Sequence, residues 1–370
     1  MTAPGVYLDW AATAPVRPEA IEAMAEVLRE VGNPSSVHGF GRRARARLEA
    51  ARRTVARAFA VEPDAVLFTS GGTEANQLAL HQADGRIAVT AIEHASILEA
   101  VPDALRLPVT AEGVLDLEAA ERLLAGHRPS LVACQLANNE TGAIQPVAEL
   151  ARLARAVGAK LHVDAVQAAG KLACAPEALG ADTVAVSAHK LGGPAGIGAL
   201  LLRPGLVVRP RQPGGGQEGG RRAGTPNLAG AVGFARALEL LSSVDWAAVA
   251  ALRDRLEREL RAIAPELRVV AAEAARLATI SCLLTPGLSA ETQLVALDLE
   301  GVAVGAGAAC SSGKLAPSHV LRAMGFTEAE ARSAIRVSLG WSTREADIDR
   351  LVAAWAALYR RWWQRRAARG

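Results

Sequence analysis

The sequence predicts an α/β protein: a mostly parallel sheet with helices on both faces, followed by a smaller α+β unit. Three observations carry this. The chain has 370 residues, more than one hydrophobic core usually holds. From about 65 to 203, short apolar runs alternate with helix-like segments. After about 264 that rhythm gives way to strands and helices in mixed order.

The strand runs are AVLFT, RIAVTA, SLVACQL, KLHVD, TVAVSA and GIGALLL, and helical periodicity falls between several of them, at 73–82, 116–125 and 146–157. In such sheets ligands sit at the carboxyl ends of strands. Residues 226–264 read as one or two long helices. Strands are then expected at 267–271, 278–284 and 334–339, with helices at 289–300, 317–324 and 345–366. The stretch PGGGQEGGRRAGTPN, residues 213–227, is too long and too charged for an ordinary turn and reads as a functional loop or an interface.

Hydrophobic residues make up 51% and charged residues 21%, with a net charge of +3, which suits a globular protein and is too weak a bias to argue for nucleic acid. The opening MTAPGVYLDWAATAP lacks a basic region followed by an apolar stretch, so no signal peptide is expected, and no apolar run is long enough to predict a membrane span. The 4 cysteines form no C-x-x-C pair and have no zinc-like spacing with histidine, so no metal is expected. Cys134 and Cys282 lie in strand-like runs and should be buried and inert; Cys174 is undecided. Cys310, in GAGAACSSGK, stands apart, because small residues alone surround it and it reads as exposed.

Five motifs carry chemistry. In VSAHKLGGPAGIGALLL, Lys190 follows a buried strand, where a partly desolvated amine can form a Schiff base; the alternative is a surface lysine at a strand end. In KLHVDAVQAAGK, Asp164 ends another strand and Gln167 follows. A buried carboxylate needs a partner, which the protonated pyridine ring of pyridoxal phosphate (PLP) would supply; otherwise Asp164 caps the next helix. In LFTSGGTEANQLAL, Gly72 and Thr73 open a helix after a strand, a turn suited to phosphate or to plain capping. In AIEHASILEA, His94 follows a strand and can lie over a flat ring, move a proton, or be structural. In AIRVSLGWST, Arg336 can clamp a carboxylate, or be a surface or interface arginine.

Together these motifs, with YLDWAATAPV, NPSSVHGFGRRAR, ANNETGAIQP, GGGQEGGRRAGTPN and ACSSGKLAPSHVLRAMG, run nearly end to end in one order. In that order the chain resembles the cysteine desulfurases, the NifS/IscS-like branch of the class V aminotransferase group of fold-type I PLP enzymes. The resemblance implies a large domain over 13–245 with a mostly parallel seven-stranded sheet flanked by helices. It implies a smaller α+β C-terminal domain over 246–370, with 1–12, carrying the Cys310 loop at about 305–314.

It also implies roles. Lys190 would carry PLP, Asp164 and Gln167 would hold its ring nitrogen and phenolate oxygen, and His94 would stack on it and help in proton transfer. Gly72, Thr73, Ser187 and His189 would bind the phosphate, with Thr225 reaching it from the partner subunit of a homodimer with composite sites. Asn139 would lie near cofactor and substrate, and Arg336 would bind the substrate carboxylate. Cys310, on a loop with reach, would take the sulfur of L-cysteine as a persulfide, leave L-alanine, and pass the sulfur to an acceptor such as an iron–sulfur scaffold, or toward tRNA or cofactor thiolation. Selenocysteine lyase, or a related class V PLP enzyme, is the alternative. The cytoplasm is the expected compartment, with no membrane and no direct nucleic-acid partner. Trp10, Ala14 and the serine-poor GAGAAC depart from the family pattern without removing a residue that has a role. The tail YRRWWQRRAARG reads as a packed terminal helix rather than a partner site.

Overall fold

The computed structural model describes residues 5–307, the backbone of 310–311 and 314–315, and residues 316–367. A short strand, β1 (Val6–Tyr7), opens it, followed by helices Pro18–Leu28 and Gly39–Ala58, which both pack on helix Leu228–Glu239. Next come seven strands: β2 (Val66–Thr69), β3 (Ile87–Thr90), β4 (Leu105–Leu107), β5 (Leu131–Gln135), β6 (Lys160–Asp164), β7 (Thr183–Ser187) and β8 (Gly198–Leu202). They form one sheet in the order β2-β8-β7-β6-β5-β3-β4. Only β8 runs antiparallel to its neighbours.

The sheet has this form because its strands are apolar on both faces. Every residue of β2, β5, β7 and β8 is buried, so helices must cover both sides. The edge strand β4, Leu-Arg-Leu, is too short to stand out in the sequence. Because β8 alone is reversed, the carboxyl ends of β2, β3, β5, β6 and β7 share one edge with the start of β8. The expected helices at 73–82, 116–125 and 146–157 are present as Gly72–Leu80, Leu117–His127 and Val147–Ala156. The long helical stretch is two helices, Leu228–Glu239 and Trp246–Ile263, the second capped by Asp245 accepting from the amides of Ala247 and Ala248.

The C-terminal part contributes β9 (Arg268–Val269), β10 (Ile280–Leu284), β11 (Val302–Ala303), β12 (Gly305–Ala306), β13 (Cys310–Ser311), β14 (Lys314–Leu315) and β15 (Ala334–Ser338). An antiparallel sheet runs β12-β15-β10-β9, while β11 pairs with β1 and β13 with β14. Helices Trp246–Ile263, Ala290–Leu299 and Glu345–Ala367 lie around an apolar cluster that includes Val6, Leu8, Leu256, Leu297, Ile335 and Trp355. Trp355 Nε1 donates to Gln293 Oε1 at 3.0 Å, and Tyr359 stacks on Trp355 while donating to Glu266 Oε1 at 2.6 Å. Trp362 packs on this cluster and Trp363 is half-exposed.

The glycine-rich segment is fixed at its middle. Arg52 donates to both carboxylate oxygens of Glu218, at 2.8 and 2.7 Å, and the Phe68 amide adds a third bond at 3.1 Å. Glu218 adopts φ 50°, a left-handed conformation unfavourable for a side chain other than glycine's, and the ion pair holds it there. The Glu218 side chain is 2% exposed, so removing its partner strands a buried charge. Arg52→Ala should lower unfolding free energy by about 3–5 kcal/mol, read from urea denaturation. An unchanged midpoint would show that the pair does not hold the segment.

Candidate active site

The shared sheet edge gathers the chemistry. After β2 the chain turns through Ser70, Gly71 and Gly72 into helix Gly72–Leu80. A Cβ on Gly72 would lie 2.6 Å from Val166 Cγ2, so only glycine lets this helix start so close to the segment after β6. Ser187, buried at the end of β7, lies against the same turn: its Oγ is 3.9 Å from where a Gly71 Cβ would stand. Thr73 is exposed on the first turn. Amides, a hydroxyl and a helix N-terminus thus face one spot, an arrangement suited to an anion.

Asp164 ends β6 and is held on both oxygens. Oδ1 accepts from the Val166 amide at 2.9 Å and Oδ2 from Asn76 Nδ2 at 2.7 Å. Asn76 also donates to Ser96 Oγ at 2.9 Å, and its Oδ1 meets His162 Nε2 at 3.0 Å. With the Asn76 amide so oriented, His162 Nε2 carries the proton and Nδ1 faces the Thr183 hydroxyl at 2.9 Å. Burial pushes the His162 imidazole down to about 4, so it is neutral. His94 caps the short helix Ala95–Leu98: its Nδ1 accepts from the Ser96 amide at 3.1 Å and faces Ser96 Oγ at 2.9 Å. That places the proton of the neutral His94 ring on Nε2, on an exposed side chain.

Lys190 follows β7. Its Nζ donates to the carbonyls of Ala11 and Ala12, at 2.5 and 2.8 Å. Burial, then the charges of Arg336 and Lys171, lowers its amine to about 8. Gln167 Nε2 donates to the same Ala11 carbonyl at 2.9 Å. Lys171 lies behind, donating to the Gln167 carbonyl at 2.9 Å, and burial lowers its amine to about 8 as well. His189 Nδ1 faces Thr13 Oγ1 at 3.2 Å, and burial together with Lys190 lowers it to about 4. The unusual Trp10 packs edge-on to Trp341 at 4.6 Å between centroids. It fits because residue 340 is glycine: a Cβ there would lie 2.0 Å from the Trp10 ring.

Arg336, on β15, donates to the Asn139 carbonyl at 2.9 Å and to Asp9 Oδ1 at 2.8 Å. Its Nε is buried and has no hydrogen-bond partner among the described residues, as suits an arginine awaiting an anionic group. Gly305 pairs with Arg336 and lies against Asp9, which a Cβ at 305 would approach to 2.5 Å.

The edge therefore brings together Gly72, Thr73, Ser187, Asp164, Gln167, His94, His189, Lys190, Asn139 and Arg336. Thr225 has no side-chain hydrogen bond among the described residues; it is exposed and lines a cavity of about 70 Å³ with Ser70, Arg222 and Asn227. The backbone of Cys310 forms β13, and its side chain lies outside the described residues. The other cysteines are buried, and burial raises each thiol, Cys174 to about 12. Residues the sequence reading did not single out are Asn76, His162, Ser96, Lys171, Asp9 and Glu140. Of these, His162 had a signal, since it shares a face of β6 with Asp164 two positions on.

A partly buried amine, a buried carboxylate and an anion cradle on the carboxyl edge of such a sheet are the marks of an enzyme site. The Aminotransferase class-V model matches residues 6–351, and the chain belongs to that family. Its relatives there are cysteine desulfurases. One from Cereibacter sphaeroides is 44% identical over 364 residues, covering 94% of each chain. An IscS-like cysteine desulfurase of Mycobacterium tuberculosis is 40% identical over 368 residues, covering 93% of each. Among solved structures, a NifS-like protein from Rickettsia africae superposes with a TM-score of 0.89 at 34% identity, over 96% of this chain and 99% of that one.

The geometry fixes how Lys190 should titrate. Its amine becomes the neutral nucleophile as pH rises through about 8 rather than at its ordinary value of 10.5. On ligand-free protein, reductive methylation of Lys190 followed by mass spectrometry should be half-maximal near that pH. Lys171→Met removes a neighbouring positive charge and should move the profile upward. A profile unmoved by that change would show that Lys171 does not act on Lys190.

Proposed function

We propose that the chain is a cysteine desulfurase that uses PLP to convert L-cysteine to L-alanine, leaving the sulfur as a persulfide on Cys310. The observation that carries this is the partly buried Lys190 amine after β7, lowered to about 8, in the same electrostatic neighbourhood as Asp164 and Arg336. The residues present fit the cofactor. Lys190 would hold it, the doubly hydrogen-bonded Asp164 would meet its ring nitrogen, and Gln167 would meet its phenolate oxygen. The turn at Gly72 and Thr73, with Ser187 and His189, would take its phosphate. When bound, PLP supplies an electron sink that makes the substrate's α-proton labile and weakens its carbon–sulfur bond.

The chain's own groups do the rest. Arg336 binds the substrate carboxylate through its buried guanidinium, and Asn139 lines the approach. Lys190 Nζ, poised near neutral pH, takes and returns the α-proton. His94, its Nδ1 held by the Ser96 amide, serves the thiol steps as acid or base through Nε2. The Cys310 thiolate bonds to the substrate sulfur as the carbon–sulfur bond breaks; that bond's electrons stay with the carbon skeleton, which is protonated and leaves as alanine. One thiol and one cysteine thus become one persulfide and one alanine.

The division into residues 13–245 and 246–370 with 1–12 belongs to this reading, supported by an apolar cluster that residues beyond 245 build together with Val6 and Leu8. So do a homodimer with Thr225 reaching across, a sulfur-acceptor protein, and a cytoplasmic location. Among the described residues no helix is long and apolar enough to cross a membrane.

The test is an absorbance spectrum of the purified protein before and after L-cysteine, with alanine and sulfide assayed together. A visible–ultraviolet band perturbed by cysteine, with alanine formed, is expected. Cys310→Ala should keep the band and lose persulfide formation, and Lys190→Ala should lose the lysine-linked band. Normal sulfide release from Cys310→Ala would overturn the assignment.

A further inference from the structure

We propose that Glu140 is a positioning residue for Cys310: its buried carboxyl group bears on both feet of the segment that carries the thiol. The inference rests on the reading of Cys310 as the sulfur-accepting group. Glu140 is 2% exposed and lies in the turn between β5 and the helix Val147–Ala156. A Cβ on Gly307 would stand 1.9 Å from Glu140 Oε2 and 2.6 Å from its Cδ. The chain therefore passes position 307 in contact with the carboxyl group, and a larger residue there would have to displace it. At the far foot, Ser318 Oγ donates to the same Oε2 at 2.5 Å, and accepts from the Leu321 amide at 3.1 Å as the cap of helix His319–Ala323. One oxygen atom thus fixes where the segment leaves the sheet and where it re-enters a helix.

The base of this brace is stiff. Asn138 Oδ1 accepts from the amides of Glu140 and Thr141, each at 2.9 Å, and Asn138 Nδ2 donates to the Ile92 carbonyl at 3.3 Å. The same turn presents the Asn139 carbonyl to Arg336. The feet of the Cys310 segment are therefore registered on the turn that also orients the arginine proposed to bind substrate. Burying a carboxyl group costs free energy unless it is hydrogen-bonded, and among the described residues its bond comes from Ser318, at the segment's far foot. Burial raises the Glu140 carboxyl, while Ser318, His319 and Arg336 oppose that rise. Fixing the ends of a segment raises the effective concentration of what it carries at its target.

The experiment uses the holoprotein and its Glu140→Ala, Glu140→Gln and Gly307→Ala variants. Alanine release in a single turnover should fall about 10- to 100-fold in Glu140→Ala and Gly307→Ala. The cofactor absorbance change on adding L-cysteine should keep its amplitude, and KM should stay within about threefold. Glu140→Gln, whose amide oxygen still accepts from Ser318, should keep most of the rate. Deuterium uptake should rise in peptides covering 305–318 and not in those covering 160–164. Unchanged release with unchanged uptake in Glu140→Ala would overturn the proposal. So would an absorbance response lost in step with the rate, because Glu140 would then serve the cofactor and substrate site instead. If Glu140→Ala does not fold, Gly307→Ala decides by the same measurements. If Cys310→Ala still forms alanine normally, the reading of Cys310 fails, and the uptake comparison alone decides the brace.

Discussion

A carboxylate at the end of a fully buried strand must be supplied with donors, and much of this molecule is arranged to supply them to Asp164. Its strand lies between two parallel neighbours, so the sheet's own ladder has no hydrogen to spare for a side chain. The donors come instead from the turn that follows, through the Val166 amide, and from Asn76 on the helix packed over the sheet. Asn76 is in turn oriented by His162 and Ser96, both buried. Each added polar group creates its own need for a partner, and the network closes only at Thr183 and His94.

The same logic governs the positive charges. Lys190 and Lys171 are both partly buried, and desolvation, first of all, lowers both amines to about 8. Lys190 finds two carbonyls in the N-terminal segment, whereas Arg336 keeps its charge and meets Asp9. Amine and guanidinium thus differ in kind: one is poised to lose a proton, the other remains a fixed cation for an anion to find.

Much of the sheet was legible because strands buried on both faces are written as unbroken apolar runs, and Lys190 and Asp164 stand out as charged residues at the ends of two such runs. The edge strand β4 was not legible, since three residues with an arginine in the middle carry no period. Helix Gly39–Ala58 begins at a glycine after a histidine cap and is rich in arginine, so neither its start nor its apolar stripe is conspicuous. The supporting residues were hidden for another reason. Asn76 meets Asp164 across 88 positions and Asp9 meets Arg336 across 327, and no local pattern encodes such meetings. Glu140 looked like part of a turn; its burial against Gly307 and Ser318 is a tertiary fact.

The acceptors for the Lys190 amine come from Ala11 and Ala12, and Leu8 bonds through its carbonyl to the amide of Ser338. The segment at 8–12 therefore joins parts far apart in the chain, meeting Lys190 after β7 and Ser338 on β15. A change that loosens β15 would therefore also loosen the carbonyls that hold the Lys190 amine.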